Sequence, residues 1–173
     1  VVYDVVLFDR DGTLIEDVPY NGDPARVRPM PGAVSALAEL RSRGVRLGVV
    51  SNQSGIGRGL VTAAEVAAVN ARLVELLGPF DVLRICPHTA ADRCRCRKPK
   101  PGMIVDALSE LDIAPARAAM VGDIGADVDA ATAAGVRSVL VPTARTRTTE
   151  IRAAPAVAGT LTAAVDALFR TVR

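Results

Sequence analysis

The chain has 173 residues, 50% of them hydrophobic, and a net charge of +2 with acids and bases interspersed. That length can bury roughly 70% of the surface of the unfolded chain, so one compact domain spanning 1–173 is expected. No apolar run approaches the ~20 residues of a membrane span and no leader pattern opens the sequence, so a cytoplasmic protein without a membrane partner is expected. Aromatic residues make up 3% and no basic stripe is visible, which speaks against nucleic acid and leaves small anions as partners.

Strand-like and helix-like segments alternate, which predicts an α/β fold: a doubly wound parallel sheet with helices on both faces. Strands are expected near 4–8, 45–50, 81–85, 118–121 and 137–141. Helical periodicity covers Gly32–Arg43, Ala63–Leu77, Gly102–Leu111 and Ala126–Ala134, with a capping box from Thr62 to Glu65 at the second. Gly44, Gly78 and Gly135 stand where left-handed caps end helices, and Pro31-Gly32 and Pro101-Gly102 where proline enters a first turn. Thr160–Val172 has the pattern of a closing amphipathic helix. Pro142–Ala158 shows no periodicity and is expected to be irregular.

The first strand ends in Asp9-Arg10-Asp11-Gly12-Thr13. Strand carboxyl ends are where ligands sit in such sheets, and two like charges of the same parity need a shared proton or a shared cation, for which magnesium is the obvious choice. The loop Ile15–Pro31 is too long for a simple connector, and its prolines and Tyr20 favour an ordered flap beside the ligand. The second strand runs into Ser51-Asn52-Gln53-Ser54-Gly55-Ile56-Gly57-Arg58-Gly59, a glycine-rich loop able to cradle a phosphate with backbone N–H groups.

Cys86, His88, Cys94 and Cys96 gather every cysteine and the only histidine of the chain within one segment. Three thiols and an imidazole suit tetrahedral Zn2+, and with all four positions filled by protein the role is structural. Arg97-Lys98-Pro99-Lys100 follows directly, a cationic stretch suited to phosphate. The fourth strand delivers a further carboxylate at Asp123, with Asp127 a turn later as a cap or a supporting group.

Two acids, a hydroxyl, a cation pair near the following helix and another acid, supplied in order by four strand ends, resemble the haloacid dehalogenase-like (HAD-like) phosphatases, with the motifs at Asp9–Thr13, Ser51, Lys98 and Gly122–Asp127. Within that superfamily, DRDGT, SNQSGIGRG, the Cys-Pro-His and Cys-Arg-Cys pair and RKPKPGM resemble the D-glycero-D-manno-heptose 1,7-bisphosphate phosphatases and their relatives, the histidinol-phosphate phosphatases. The resemblance implies a capless hydrolase in which Asp9 is the nucleophile, Asp11 the general acid and base, and Ser51 and Lys98 hold the transferring phosphate. It further implies Mg2+ on Asp9, Asp11 (through its carbonyl) and Asp123, and a small phosphorylated sugar contacted by Asp17, Tyr20, Asn52, Gln53, Ser54 and Arg97. Two positions depart from the heptose-type pattern: Ile124 stands where a lysine is common, and Asp17-Val18-Pro19-Tyr20 matches the flap only in part. A monomer is the default expectation. The other readings are histidinol-phosphate hydrolysis, a DNA 3′-end phosphatase and a zinc-stabilised binding module.

Overall fold

The computed structural model describes residues 3–169. Its centre is a five-stranded parallel sheet built from β1 (Val5–Phe8), β2 (Arg46–Asn52), β3 (Val82–Cys86), β4 (Ala118–Gly122) and β5 (Arg137–Leu140), in the order β3-β2-β1-β4-β5. Every pairing is parallel, with Phe8 opposite Val49 on one side and Val121 on the other. Connections therefore run from β1 outward through β2 to β3, then cross back to β4. Strand order reverses at β1 and β4, and the crevice beyond their carboxyl ends is where open α/β sheets bind ligands.

Helices cover both faces because the strand residues are apolar on both sides. Val6 and Phe8 of β1 point into one cluster with Leu37 and Leu40 of α1 (Ala33–Ser42), Val69 and Leu73 of α3 (Ala63–Leu77) and Leu161, Val165 and Leu168 of α7 (Leu161–Phe169). Val5 and Leu7 point into the other, with Ile104 and Leu108 of α4 (Gly102–Leu111) and Ala130 and Ala131 of α5 (Gly125–Ala133). Each fully buried Leu, Val or Phe contributes roughly 1.5–3 kcal/mol relative to exposure. The central strands thus form the most firmly held platform in the molecule.

The expected strands and helices stand within one or two residues of their predicted bounds, and the Thr62–Glu65 capping box is formed. The last residues of the expected closing helix lie outside those described. Three expectations are corrected. Pro31 and Pro101 do not occupy first turns: Pro31 lies two residues before the first helical residue, ahead of the N-cap Gly32, and Pro101 is itself the N-cap. The glycine-rich loop folds into a helical turn, α2 (Ser54–Gly57), and the amides of Gln53, Ile56, Gly57 and Arg58 are taken by the carbonyls of Cys86, Gln53, Pro87 and Ser54. Fewer N–H groups face a ligand than the sequence led one to expect.

The segment 142–158 is also more ordered than its composition indicates. It carries α6 (Thr148–Ala153), and Ala156 and Ala158 exchange backbone hydrogen bonds with Leu140 along the edge of β5. Main-chain pairing of this kind leaves no side-chain pattern in a sequence.

Candidate active site

Two acids of the cleft, Asp9 and Asp123, are placed by the ends of neighbouring strands. Asp9 follows β1, its N–H donating to Val121 O at 3.0 Å, and Asp123 follows β4. Gly12 makes their approach possible. Its φ is +82°, and a Cβ there would lie 2.5 Å from Asp123 Oδ2, so the turn that leads away from Asp9 admits no side chain. Gly122 plays the same part on the other strand, where a Cβ would lie 2.3 Å from that of Asp127.

Lys98 reaches into this acidic floor from the segment after the cysteine loop. Its ammonium donates to Asp9 Oδ1 and Asp127 Oδ1, each at 2.6 Å, and to Val50 O at 2.8 Å. Asn52 holds that segment, donating to Lys98 O and accepting from Lys98 N, both at 3.0 Å. Burial opposes the charge on Lys98, but Asp127 and Asp9 override it and keep the amine protonated beyond its usual range. Burial likewise pushes Asp9 well up, with Lys98 pulling it back and Asp127, Asp123 and Asp11 adding repulsion. Burial and Asp127 push Asp123 up to about 7, against the Thr13 hydroxyl that donates to it at 3.1 Å.

Carboxylate oxygens of Asp9, Asp123 and Asp127 lie within 4.8 Å of one another. Lys98 pairs with two of the three carboxylates while Asp123 accepts from the Thr13 hydroxyl, so this buried cluster holds more acid than its one ammonium balances. An all-oxygen donor set of that charge fits a small hard divalent cation.

Asp11 shares the cavity but not this cluster. Its carboxylate accepts from Arg10 Nε and Nη2 at 3.1–3.2 Å and from Gln53 Nε2 at 2.7 Å. Arg10 is buried and anchored from behind by Asn70, whose Oδ1 accepts from Nη1 at 2.7 Å. Gln53 Nε2 also donates to Ser51 Oγ at 2.8 Å, which aligns a hydroxyl beneath the acids.

The cavity of about 310 Å³ is lined by Asp9, Asp11, Asp17, Tyr20, Asn52, Gln53, Ser54, Lys98 and Asp123 among the residues singled out from the sequence. Ser51 is buried and outside the lining, joined to it through the hydrogen bond from Gln53. Arg97 is not in the lining: its guanidinium donates to His88 O at 3.3 Å and borders a separate cavity over the cysteine loop. The structure adds residues that sequence reasoning missed. Arg10 and Asn70 position Asp11, and Asn70 was detectable as the one polar side chain on the buried face of α3. Thr13 was visible in its motif. Arg145 lines the cavity and pairs with Asp17 at 2.8 Å, from a segment whose sequence carried no sign of it.

The other cluster sits at the end of the edge strand β3. Cys86, His88, Cys94 and Cys96 place four donor atoms within 4.8 Å of one another. Cys86 Sγ lies 3.7 Å from Cys94 Sγ and 3.6 Å from His88 Nδ1, and His88 Nδ1 lies 3.2 Å from Cys96 Sγ. Four ligands about 2.0–2.3 Å from a tetrahedral centre lie at such mutual spacings; the 2.8 Å between Cys86 and Cys96 is tighter. Burial and the Cys96 contact push the Cys86 thiol up to about 12, so a thiolate there calls for a cation beside it.

A family profile described as HAD-hydrolase-like matches residues 95–167. The D-glycero-beta-D-manno-heptose-1,7-bisphosphate 7-phosphatase of Pseudomonas putida is 37% identical over 146 residues, covering 82% of this chain and 83% of its own length. Its namesake from Neisseria meningitidis is 34% identical over 150 residues, or 84% and 80% of the two chains. The chain belongs to the heptose-1,7-bisphosphate 7-phosphatase family of HAD-like hydrolases. A solved member of this family, the D,D-heptose 1,7-bisphosphate phosphatase from B. bronchiseptica in complex with magnesium and phosphate, superposes with a TM-score of 0.86 at 32% identity. That likeness covers 95% of this chain and 97% of the other. The family's fold thus extends over 95% of this chain, and none of the helices among the described residues is long and apolar enough to cross a membrane.

Proposed function

We propose that this chain is a magnesium-dependent phosphatase that removes the C7 phosphate of D-glycero-D-manno-heptose 1,7-bisphosphate through an aspartyl-phosphate. The observation that carries the reading is Asp9: a buried carboxylate at the floor of an open cavity, 2.6 Å from a lysine ammonium and clustered with Asp123. The names and identities of the relatives support the choice of sugar.

Asp9 attacks phosphorus in line; its oxygen forms the new P–O bond as the bond from phosphorus to the C7 oxygen breaks. Asp11 gives its proton to the departing oxygen, then takes one from the water that attacks phosphorus and releases Asp9 and inorganic phosphate. Arg10 and Gln53 aim the Asp11 carboxylate for both transfers. Ser51 Oγ accepts from Gln53, so its own proton is free for a phosphoryl oxygen. Esterification removes the negative charge of Asp9, and the Lys98 N–H that meets it turns to the phosphoryl oxygens, where stabilisation of phosphoryl transfer is concentrated. Asp9, Asp123 and the carbonyl of Asp11 would hold magnesium, which supplies positive charge against the incoming phosphate. Asp17, Tyr20, Asn52 and Ser54 line the approach to the sugar.

Zinc held by Cys86, His88, Cys94 and Cys96 keeps the loop that leads to Lys98 in place. The reading includes a single domain over 1–173, a monomer, a cytoplasmic location, and no nucleic-acid or membrane partner.

Phosphate release from the heptose bisphosphate and from histidinol phosphate, measured with magnesium, tests the assignment. A strong preference for the bisphosphate is expected, with about one zinc per chain retained when magnesium is stripped. Preference for histidinol phosphate would move the chain to the neighbouring activity, and unchanged turnover in Asp9→Asn would remove the mechanism altogether.

A further inference from the structure

Three cations line the cleft, and they differ in what their N–H groups already serve. Lys98 commits its ammonium to Asp9, Asp127 and Val50 O. Arg10 is buried and turned to Asp11 and Asn70. Arg145 keeps a side chain 57% exposed, and its guanidinium meets one carboxylate, Asp17, at 2.8 Å. It is the exposed cation of the three, and its guanidinium has donors left for an anion.

The turn that carries it is tied to the reacting end of the site. Thr146 Oγ1 donates to Asp123 O at 2.6 Å and accepts from Thr143 N at 2.8 Å, while Arg145 N donates to Thr143 Oγ1 at 3.2 Å. The Arg145 backbone therefore hangs from the same residue whose carboxylate faces Asp9. Ile124, next in sequence to Asp123, also lines the cavity and brings no charge.

We propose that Arg145 binds the phosphate that is not transferred, and so makes the enzyme select a sugar bisphosphate over a monophosphate. The inference rests on the phosphatase reading above, which supplies the bisphosphate. With one phosphate at Asp9, the far phosphate meets a lining otherwise carboxylate-rich, with Asp11 and Asp17 at hand. A guanidinium fork matches a phosphate dianion through two parallel N–H···O bonds, a stronger partnership than the half-exposed contact with Asp17. Asp17, once released, is an acceptor for sugar hydroxyls.

The test compares wild type, Arg145→Gln and Arg145→Lys on heptose 1,7-bisphosphate and on the 7-phosphate of the same sugar. In Arg145→Gln the ratio of kcat/KM for bisphosphate over 7-phosphate falls on the order of 10- to 100-fold, through KM rather than kcat. Arg145→Lys recovers part of the ratio, as a point charge without the fork. An unchanged ratio, whether from equal loss on both substrates or from no loss, overturns the inference. So does a wild type that hydrolyses both substrates equally well, which leaves the phosphatase reading standing. A wild type that releases phosphate from neither overturns both.

Discussion

The acidic cleft and the Cys/His loop both gather groups that repel or compete, but they are assembled over very different distances in the chain. Asp9 and Lys98 are 89 positions apart and meet because β1 is central to the sheet. Cys86 and Cys96 are 10 positions apart, on a loop that leaves the edge strand. The cleft carries its own counterion in Lys98, whereas the four donors of the loop touch chiefly one another. Geometry in the cleft thus belongs to the fold, and geometry in the loop to whatever ion it holds. Each region should consequently fail in its own way.

The largest expected effect separates chemistry from structure. Asp9→Asn keeps the size of the side chain and removes the proposed nucleophile, so turnover should fall by at least roughly 10⁴-fold. Zinc content and thermal midpoint should hold, because burying an amide is less costly than burying a carboxylate. Steady-state phosphate release with a melting curve on the same sample checks this. A variant that loses its zinc or its fold along with activity would break the comparison, since the cleft and the loop would then be one unit.

Next in size is Lys98→Met. It leaves Asp9 and Asp127 without their cation in a buried site, which destabilises by about 3–5 kcal/mol in denaturant unfolding. Asp127→Asn in the same chain should return part of that stability without returning activity. Raising magnesium should also return part of it, because the ion binds the folded state alone. Unaltered stability in Lys98→Met would mean that the carboxylates are neutral and that the ion pair is not what holds the floor together.

Removing zinc tests the other region. Chelation, or Cys94→Ser, should lower stability by about 2–3 kcal/mol. Hydrogen exchange should rise across 86–100 before it rises in β1. Activity should fall less than in the Lys98 variant, since Asn52 still holds Lys98 through two backbone contacts. Uniform exchange across the sheet would sharpen the picture in the opposite direction, making the loop a keystone of the fold.

The same contrast explains what the sequence let one see. Strands β1 and β4 were legible as apolar runs ending in acids, and the Cys/His loop as a local cluster, because both patterns lie within a dozen residues. Ser51, Lys98 and Asp123 could be named from motif resemblance, and the fold brings Lys98 and Asp123 into the lining of one cavity. Arg97 looked as suitable as Lys98, yet one side chain turns into the cleft and its neighbour over the loop. Spacing does not encode that choice. Arg145 and the helix α6 were invisible for a related reason: main-chain pairing with Leu140 and the Thr146 bond to Asp123 O order that segment, and neither depends on apolar periodicity.

Asn70 lies between these cases and gives the smallest expected effect. It interrupts the buried face of α3, among Val66, Val69, Leu73 and Leu77, at a position where leucine would continue the apolar face. Its reason for being there is Arg10 Nη1, which it accepts at 2.7 Å, and through Arg10 the aim of the Asp11 carboxylate. In Asn70→Leu an unpaired guanidinium N–H costs about 1–3 kcal/mol, and the added apolar burial offsets about as much, so the melting point should barely move. Turnover should nonetheless drop about tenfold in kcat with KM nearly constant, because a proton donor out of line is missed in the transition state rather than on binding. Asn70→Asp, which keeps an acceptor facing Arg10, should restore most of the rate. Full activity in Asn70→Leu would show that Arg10 and Gln53 fix the Asp11 carboxylate without support from α3, and that the helix contributes packing alone.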